Sequence, residues 1–343
     1  MAASAVELDI DGTTVRVSSP DKLLFPTAGH TKLDVVEHYR SVAPLLLPHV
    51  LGRPLNLERF PKGVEAPGFM QKRVSNAPDW LHTVEVTFGS GRGAAEVCPR
   101  SLAEIIWSVN LGAVTVHPWS IRLPACSPLD PHGAFDEPDE LRIDLDPVDG
   151  GPFAVVRRVA LMVGEVLGEH GLTGFAKTSG STGMHVLVRI ERRPFVEVRA
   201  AAVGLAREVE RRLPDEATTS WWKEERGQRV FLDYNQNLWD RTTASAYSVR
   251  PVPDARISLP VTWDEVADVE PADATLASLP ALLRDRDDPM AEIDAAAGSI
   301  DGLLGLAAAD HADGLPDLPM PPHYPKLPHE PPRVPPSKRR SQA

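Results

Sequence analysis

One stretch of this sequence constrains the fold more than any other. Between residues 141 and 234 the apolar pattern switches repeatedly between strand and helix periods. LRIDLD, residues 141–146, alternates apolar and charged side chains as a half-buried strand does. The run from Pro152 repeats its apolar residues at helical spacing and stops at Gly171. GFAKTSG and GMHVLVRI read as two strands joined by a tight turn over residues 179–183, FVEVRAAAVGLAREVERRL as a second helix, and QRVFLDY as a closing strand. The order β-α-β-β-α-β predicts a ferredoxin-like or RNA-recognition-like unit. Such a unit has an antiparallel sheet, both helices on one face, and the other face free to host a site.

The flanks are read around that unit. HTKLDVVEHYRSVAPLLLPHV places Leu33, Val36, Tyr39 and Val42 on one helical face, with Pro44 and Pro48 ending or bending the helix. SLAEIIWSVN reads as a helix with Ser101 as its N-cap; Gly112 breaks it and AVTVH follows as a strand. The fold class expected is therefore α+β, a ferredoxin- or RRM-like catalytic sheet flanked by an N-terminal α/β module. Ten of the 22 residues 315–336 are proline, which excludes a helix or central strand there. The expected division is one catalytic domain over 1–300, with its core at about 141–234, and a proline-rich strap or tail over 301–343.

Charge and cysteine narrow the compartment and the partner. Residues 263–320 carry 14 Asp or Glu against two Arg, which is the whole of the formal net charge of −12. The rest of the chain is neutral and can carry a basic groove. Two cysteines suit a reducing compartment. No basic leader and no apolar run of membrane-spanning length occurs, so a cytoplasmic, nucleoid-associated protein with no membrane partner is expected.

Asp144 and Asp146 lie two apart on one strand and so share a face. Adjacent carboxylates repel unless a cation sits between them, and Asp233, on the closing strand, can join them. Hard oxygen donors suit Mg²⁺ or Mn²⁺. Taken alone, D-x-D reads first as an ordinary solvated strand face; the surrounding motifs reverse that reading. The turn TSGSTG offers backbone N–H groups and hydroxyls to a phosphate, with Lys177 before it and His185 after it.

The succession L-x-I-D-L-D-P, T-S-G-S-T-G-M-H-V and V-F-L-D-Y-N-Q-N resembles the archaeo-eukaryotic primase superfamily. Within it, the chain looks like the polymerase domain of bacterial ligase D and the stand-alone primase-polymerases, including the ligase-C-associated type. S-P-D-K-L-L-F-P, G-R-P-L-N-L-E-R-F-P-K-G, F-M-Q-K, V-H-P-W and A-Y-S-V-R extend the resemblance over roughly residues 15–265. The resemblance implies Asp144, Asp146 and Asp233 as catalytic ligands of two Mn²⁺ or Mg²⁺ ions. It implies Ser179, Thr182, His185, His117, Gln236 and Arg250 at the incoming nucleotide, with Thr182 standing where relatives often have lysine. Lys22 and Lys32 match lysines that hold a downstream 5′-phosphate. Arg59, Phe69 and Lys72 fall near the template, with Met70 where a second aromatic is common. Either Arg226 or Arg229 contacts DNA.

The function implied is template-dependent addition of ribo- or deoxyribonucleotides at short gaps or primer ends in DNA repair. The partners implied are gapped or primer-template DNA, NTP or dNTP, and a separate ATP-dependent DNA ligase with Ku, in end joining or base excision repair. No K-x-D-G motif occurs, so nick sealing is not expected of these residues. A dedicated primase is the nearest alternative. A non-catalytic RRM-like binding module is another, but it would carry aromatics on the central strands where Asp144, Asp146 and His185 stand.

Overall fold

The computed structural model describes residues 4–88, 93–124 and 137–321. The basic end at 337–340, Cys126 and His132 lie outside the described residues. The N-terminal part comprises β1 (Ala5–Ile10), β2 (Thr13–Ser18), β3 (Leu23–Phe25), β4 (His30–Thr31), α1 (Lys32–Ser41) and α2 (Ala43–Val50). It continues through β5 (Leu55–Arg59), β6 (Phe69–Gln71), β7 (Thr83–Thr87), β8 (Gly93–Val97), α3 (Leu102–Asn110) and β9 (Ala113–Pro118). The central unit is β10 (Glu140–Asp146), α4 (Phe153–Glu169), β11 (Phe175–Thr178), β12 (Met184–Arg189), α5 (Phe195–Arg212), β13 (Ala217–Thr218) and β14 (Val230–Leu232). After it come β15 (Pro260–Val261), α6 (Trp263–Val266), α7 (Leu279–Leu282) and α8 (Asp301–Ala312).

The helix expected across residues 30–50 is two helices. The chain turns at Val42, and Pro44 sits in the first turn of α2, where its missing N–H costs nothing. α3 begins at the expected cap, with the Ser101 N–H donating to Glu104 Oε2 at 2.9 Å. α4 ends in a Schellman arrangement: Leu172 N donates to Leu167 O at 2.9 Å and Gly171 N to Gly168 O at 3.0 Å, with Gly171 at φ +71°.

The six-stranded sheet runs β13-β14-β10-β12-β11-β15. Its inner four strands have the order that a β-α-β-β-α-β unit with antiparallel neighbours produces, so the first and last motif strands lie side by side. α4 buries Val156, Val159, Ala160, Val163, Val166 and Leu167, one stripe at helical spacing. Each fully buried Val or Leu side chain contributes about 1.5–3 kcal/mol.

The opposite face of the sheet is not open, contrary to expectation. β10 is buried along both faces up to Asp146, with Pro118 at the end of β9 and Asn237 both bonded to its Arg142. The charges survive burial by pairing. Arg142 Nε donates to Glu140 Oε1 at 2.7 Å and its Nη1 to Pro118 O at 2.8 Å. Arg189 also pairs with Glu140, and Arg53 grips Asp139 through two 2.8 Å bonds. Against its burial, Arg142, Arg189 and Arg53 hold Glu140 well below the usual carboxylate range. The network spans both sheets and fixes how β10 lies against β9. The site is thereby confined to the end of β10.

Residues beyond 300, expected as a strap, open instead with α8, which packs on α5. At the crossing a Cβ on Gly204 would meet Leu303 O at 2.6 Å, so the two backbones touch there. The chain continues as an extended segment over residues 315–321.

Candidate active site

β10 delivers Asp144 and Asp146 to the sheet end, and β14 delivers Asp233 beside them, with Asp233 N donating to Asp144 O at 2.9 Å. One oxygen from each carboxylate lies within 4.8 Å of the others. The cluster is electrostatically unbalanced. Asp144, its burial outweighed by His185, Lys177 and a hydrogen bond from Gln236, stays below the ordinary range. The Asp144 charge, burial and Asp233 push Asp146 up to about 8; burial and Asp144 push Asp233 up to about 6. Three converging oxygen donors that resist simultaneous ionisation are a donor set suited to a hard divalent cation.

Behind Asp144 lies a relay that the sequence motifs only hinted at. Lys177, fully buried on β11, donates to His185 Nδ1 at 2.7 Å and to Ser258 Oγ at 2.7 Å. With Nδ1 accepting, the ring proton is on Nε2, which faces Asp144 Oδ1 at 3.4 Å. Burial and Lys177 lower His185 to about 4, so the ring is neutral at physiological pH. His185 therefore orients Asp144.

The turn at 179–183 closes on itself. Ser179 Oγ accepts from Ser181 N and Gly183 N, each at 3.1 Å, so those two N–H groups are spent on the turn. Oγ–H, Ser181 and exposed Thr182 remain to face a ligand. Gly183 is required: a Cβ would lie 2.2 Å from Leu145 O. Gly183→Ala is expected to push the turn off β10 and weaken nucleotide binding about tenfold at unchanged helix content. Nucleotide titration with circular dichroism checks this, and wild-type affinity would refute it.

A cavity of about 240 Å³ opens beside the carboxylates. It is lined by His117, Asp144, Asp146, Ser179, Thr182, His185, Gln236 and Arg250, together with Ser181, Gly183 and residues 242–244. The six residues expected at the nucleotide thus share one cavity. His117 is held by Glu58 at 3.1 Å across the β5–β9 pairing, a partner 59 residues away that no local motif names. Arg250 lies under the turn, its Cγ 2.5 Å from where a Gly180 Cβ would be, and its charge acts on Glu58 and Asp144. Arg226, stacked on Phe231 at 3.7 Å, is the arginine whose charge reaches Asp146 and Asp233; Arg229 instead donates to Glu225 O at 2.8 Å.

The remaining expected residues form a second group. Lys22, Lys32 and Arg59 line one cavity of about 280 Å³. Phe69 is 48% exposed on β6 with the Arg59 guanidinium 5.4 Å from its ring centre. Lys72 is paired with Asp240 and lies over Phe88, so its charge is already partnered.

The LigD primase-polymerase domain family model matches residues 31–290. The chain is 30% identical over 321 residues to the multifunctional non-homologous end joining protein LigD of Mycolicibacterium smegmatis, covering 91% of this chain and 40% of that protein. It is 33% identical over 261 residues to the multifunctional non-homologous end joining DNA repair protein LigD of Mycobacterium tuberculosis, covering 74% of this chain and 34% of that one. The chain thus spans two fifths or less of the length of these relatives. Among solved structures, the polymerase domain of Mycobacterium tuberculosis Ligase D in complex with DNA superposes with a TM-score of 0.75 at 30% identity, covering 82% of this chain and 98% of that one. The chain belongs to the LigD primase-polymerase domain family.

Proposed function

We propose that the chain adds nucleotides to DNA 3′ ends at short gaps, directed by a template. The observation that carries this reading is the convergence of Asp144, Asp146 and Asp233 beside a cavity whose walls hold Arg250, His117 and the 179–183 turn. The three carboxylates would hold two Mn²⁺ or Mg²⁺ ions, which when bound supply charge neutralisation for the 3′-oxygen and the leaving pyrophosphate. The protein's own contribution is placement. Arg250 and His117 offer donors to triphosphate oxygens, Ser179 offers its hydroxyl, and the His185–Lys177 relay holds Asp144 with its charge directed at the cavity. His185 and Gln236 also belong to the nucleotide site. Arg59, Phe69 and Lys72 lie on the template side, where the exposed Phe69 ring is a stacking platform.

The lining of the cavity also bears on sugar choice. None of its described lining residues is Phe, Tyr or Trp, and Ser181, Thr182, Thr242 and Thr243 bring hydroxyls to it. A 2′-hydroxyl therefore meets polar partners and no aromatic gate. Primer extension on gapped DNA with Mn²⁺ or Mg²⁺ is expected to incorporate ribonucleotides at least as well as deoxyribonucleotides. A strong deoxyribonucleotide preference in competition would sink the sugar assignment, and no extension at all would sink the polymerase reading. Dinucleotide synthesis without a primer would instead favour the primase reading. No K-x-D-G occurs in these 343 residues, so sealing falls to an ATP-dependent ligase outside them, with Ku as the end-holding partner. Among the described residues no helix is long and apolar enough to cross a membrane.

A further inference from the structure

Asp233 differs from its two partners in how it is held. Asp144 and Asp146 belong to a strand paired on both sides, whereas Asp233 follows the three-residue β14 and caps a 3-10 turn over residues 234–237. Its Oδ1 accepts from Asn235 N at 2.9 Å. The turn is tied to β10 at Asn237, whose side chain exchanges two 2.8 Å bonds with the backbone of Arg142. On its other side it is tied to residues 315–321. Asn235 Nδ2 donates to Pro319 O at 3.1 Å. Arg199, on α5, donates from Nε to Asn235 Oδ1 at 2.9 Å and from Nη2 to Leu318 O at 2.8 Å, while its guanidinium covers the Tyr234 ring at 5.2 Å. Met320 is buried with Phe195, Leu238 and Trp239, the last two immediately after the turn. Arg207 holds Pro316 O. Residues 315–321 lie beyond 290, where the family match ends.

We propose that residues 315–321 are a positioning strap for the metal centre. By gripping both ends of the 234–237 turn they fix the Asp233 carboxylate for cation binding. The proposal rests on the reading of Asp144, Asp146 and Asp233 as metal ligands. Its physical basis is the cost of ordering. A capped four-residue turn left unsupported samples several backbone states, and a cation would have to select one. The strap suits this task because its prolines are stiff and its carbonyl oxygens are acceptors that need no strand partner. Arg199 bridges strap and turn with a forked set of donors that a single amine cannot match.

The test uses the full chain and reads Mn²⁺ binding directly, by the loss of the free-ion electron paramagnetic resonance signal. Arg199→Met, Met320→Ser and Asp233→Asn are compared with wild type, each checked by circular dichroism and thermal melting. Partners behind a metal ligand typically alter affinity tenfold to a hundredfold, so both strap variants are expected to bind Mn²⁺ about tenfold more weakly while keeping the wild-type spectrum. Arg199→Lys, which restores charge but not the fork, is expected to fall between. If one strap variant fails to fold, the other decides. Wild-type Mn²⁺ affinity in a folded strap variant overturns the proposal, and so does loss of fold in both, which would make the strap a structural brace alone. Asp233→Asn distinguishes the two readings: if it binds Mn²⁺ as wild type does, the metal-centre reading fails and the strap proposal with it.

Discussion

Alanine at Asp144, Asp146 or Asp233 is expected to abolish nucleotide addition, by a factor on the order of a thousand or more, without unfolding the protein. The factor corresponds to the several kcal/mol of charge stabilisation that a metal site supplies in phosphoryl chemistry. The fold should survive because the carboxylates oppose one another. Asp146 is pushed up to about 8 chiefly by Asp144. In the metal-free protein the folded state therefore binds a proton more readily than the unfolded chain between the ordinary carboxylate range and about pH 8. Stability then falls as pH rises through that window. Asp146→Ala or Asp146→Asn removes the repulsion, so its melting temperature in EDTA should be higher than wild type near neutral pH and flatter with pH. Relief should raise the midpoint by about 2–4 °C per kcal/mol. Adding Mn²⁺ should stabilise wild type and leave Asp146→Asn nearly unchanged. Normal extension by Asp144→Ala in Mn²⁺ would remove the catalytic assignment. An EDTA melting curve that rises with pH in both proteins would remove the electrostatic one.

The legible part of this site was the part carried by period and spacing. Alternation in LRIDLD placed Asp144 and Asp146 on one face, and the β-α-β-β-α-β order placed the strand bearing Asp233 next to theirs; both are local patterns. What the alternation could not say was what the charged face meets. Glu140 and Arg142 look like solvent-facing residues in sequence. They tolerate burial because Glu140 meets Arg53 and Arg189, 87 and 49 residues away, while Arg142 is held by Glu140 and by Pro118 O on β9. Lys177 was visible as a neighbour of the turn, but its contact with His185 depends on β11–β12 register, Lys177 opposite His185. Glu58 behind His117, and the grip of residues 315–321 on Asn235, join segments that no local pattern connects. Lys72 was read from its place in F-M-Q-K; its partner Asp240 lies 168 residues away.

A 5′-phosphate on the downstream side of a gap is expected to tighten binding tenfold to a hundredfold through Lys22 and Lys32. The fold brings them together: Lys32 N donates to Lys22 O at 2.8 Å, and both side chains line one cavity with Arg59 and Asn110. Burial and the neighbouring Lys22 lower the Lys32 amine, as expected for two like charges awaiting an anion. The two lysines are not equivalent. Lys22 is exposed, whereas Lys32 is buried and donates to Ser18 O at 2.6 Å and Asn110 O at 3.1 Å. The start of α1 adds no free backbone N–H group to this cavity. Leu33 N is spent on Pro20 O, Lys32 N on Lys22 O, and Asp34 closes the capping box. Discrimination must then come from side-chain charge, which favours a terminal phosphate over the singly charged backbone. Each charge-assisted contact contributes about 1.5–3 kcal/mol, and about 1.4 kcal/mol is a tenfold change in affinity. Lys22→Ala is the cleaner variant, because its amine touches only Pro61 O among the described residues. It should lose about tenfold on phosphorylated gaps and nothing on hydroxyl-ended ones, with a shallower salt dependence. The double variant Lys22→Ala/Lys32→Ala should bind both DNAs alike, on the order of a hundredfold below wild type on the phosphorylated gap. Equal wild-type affinity for the two DNAs at one fixed salt concentration would leave the cavity without this role.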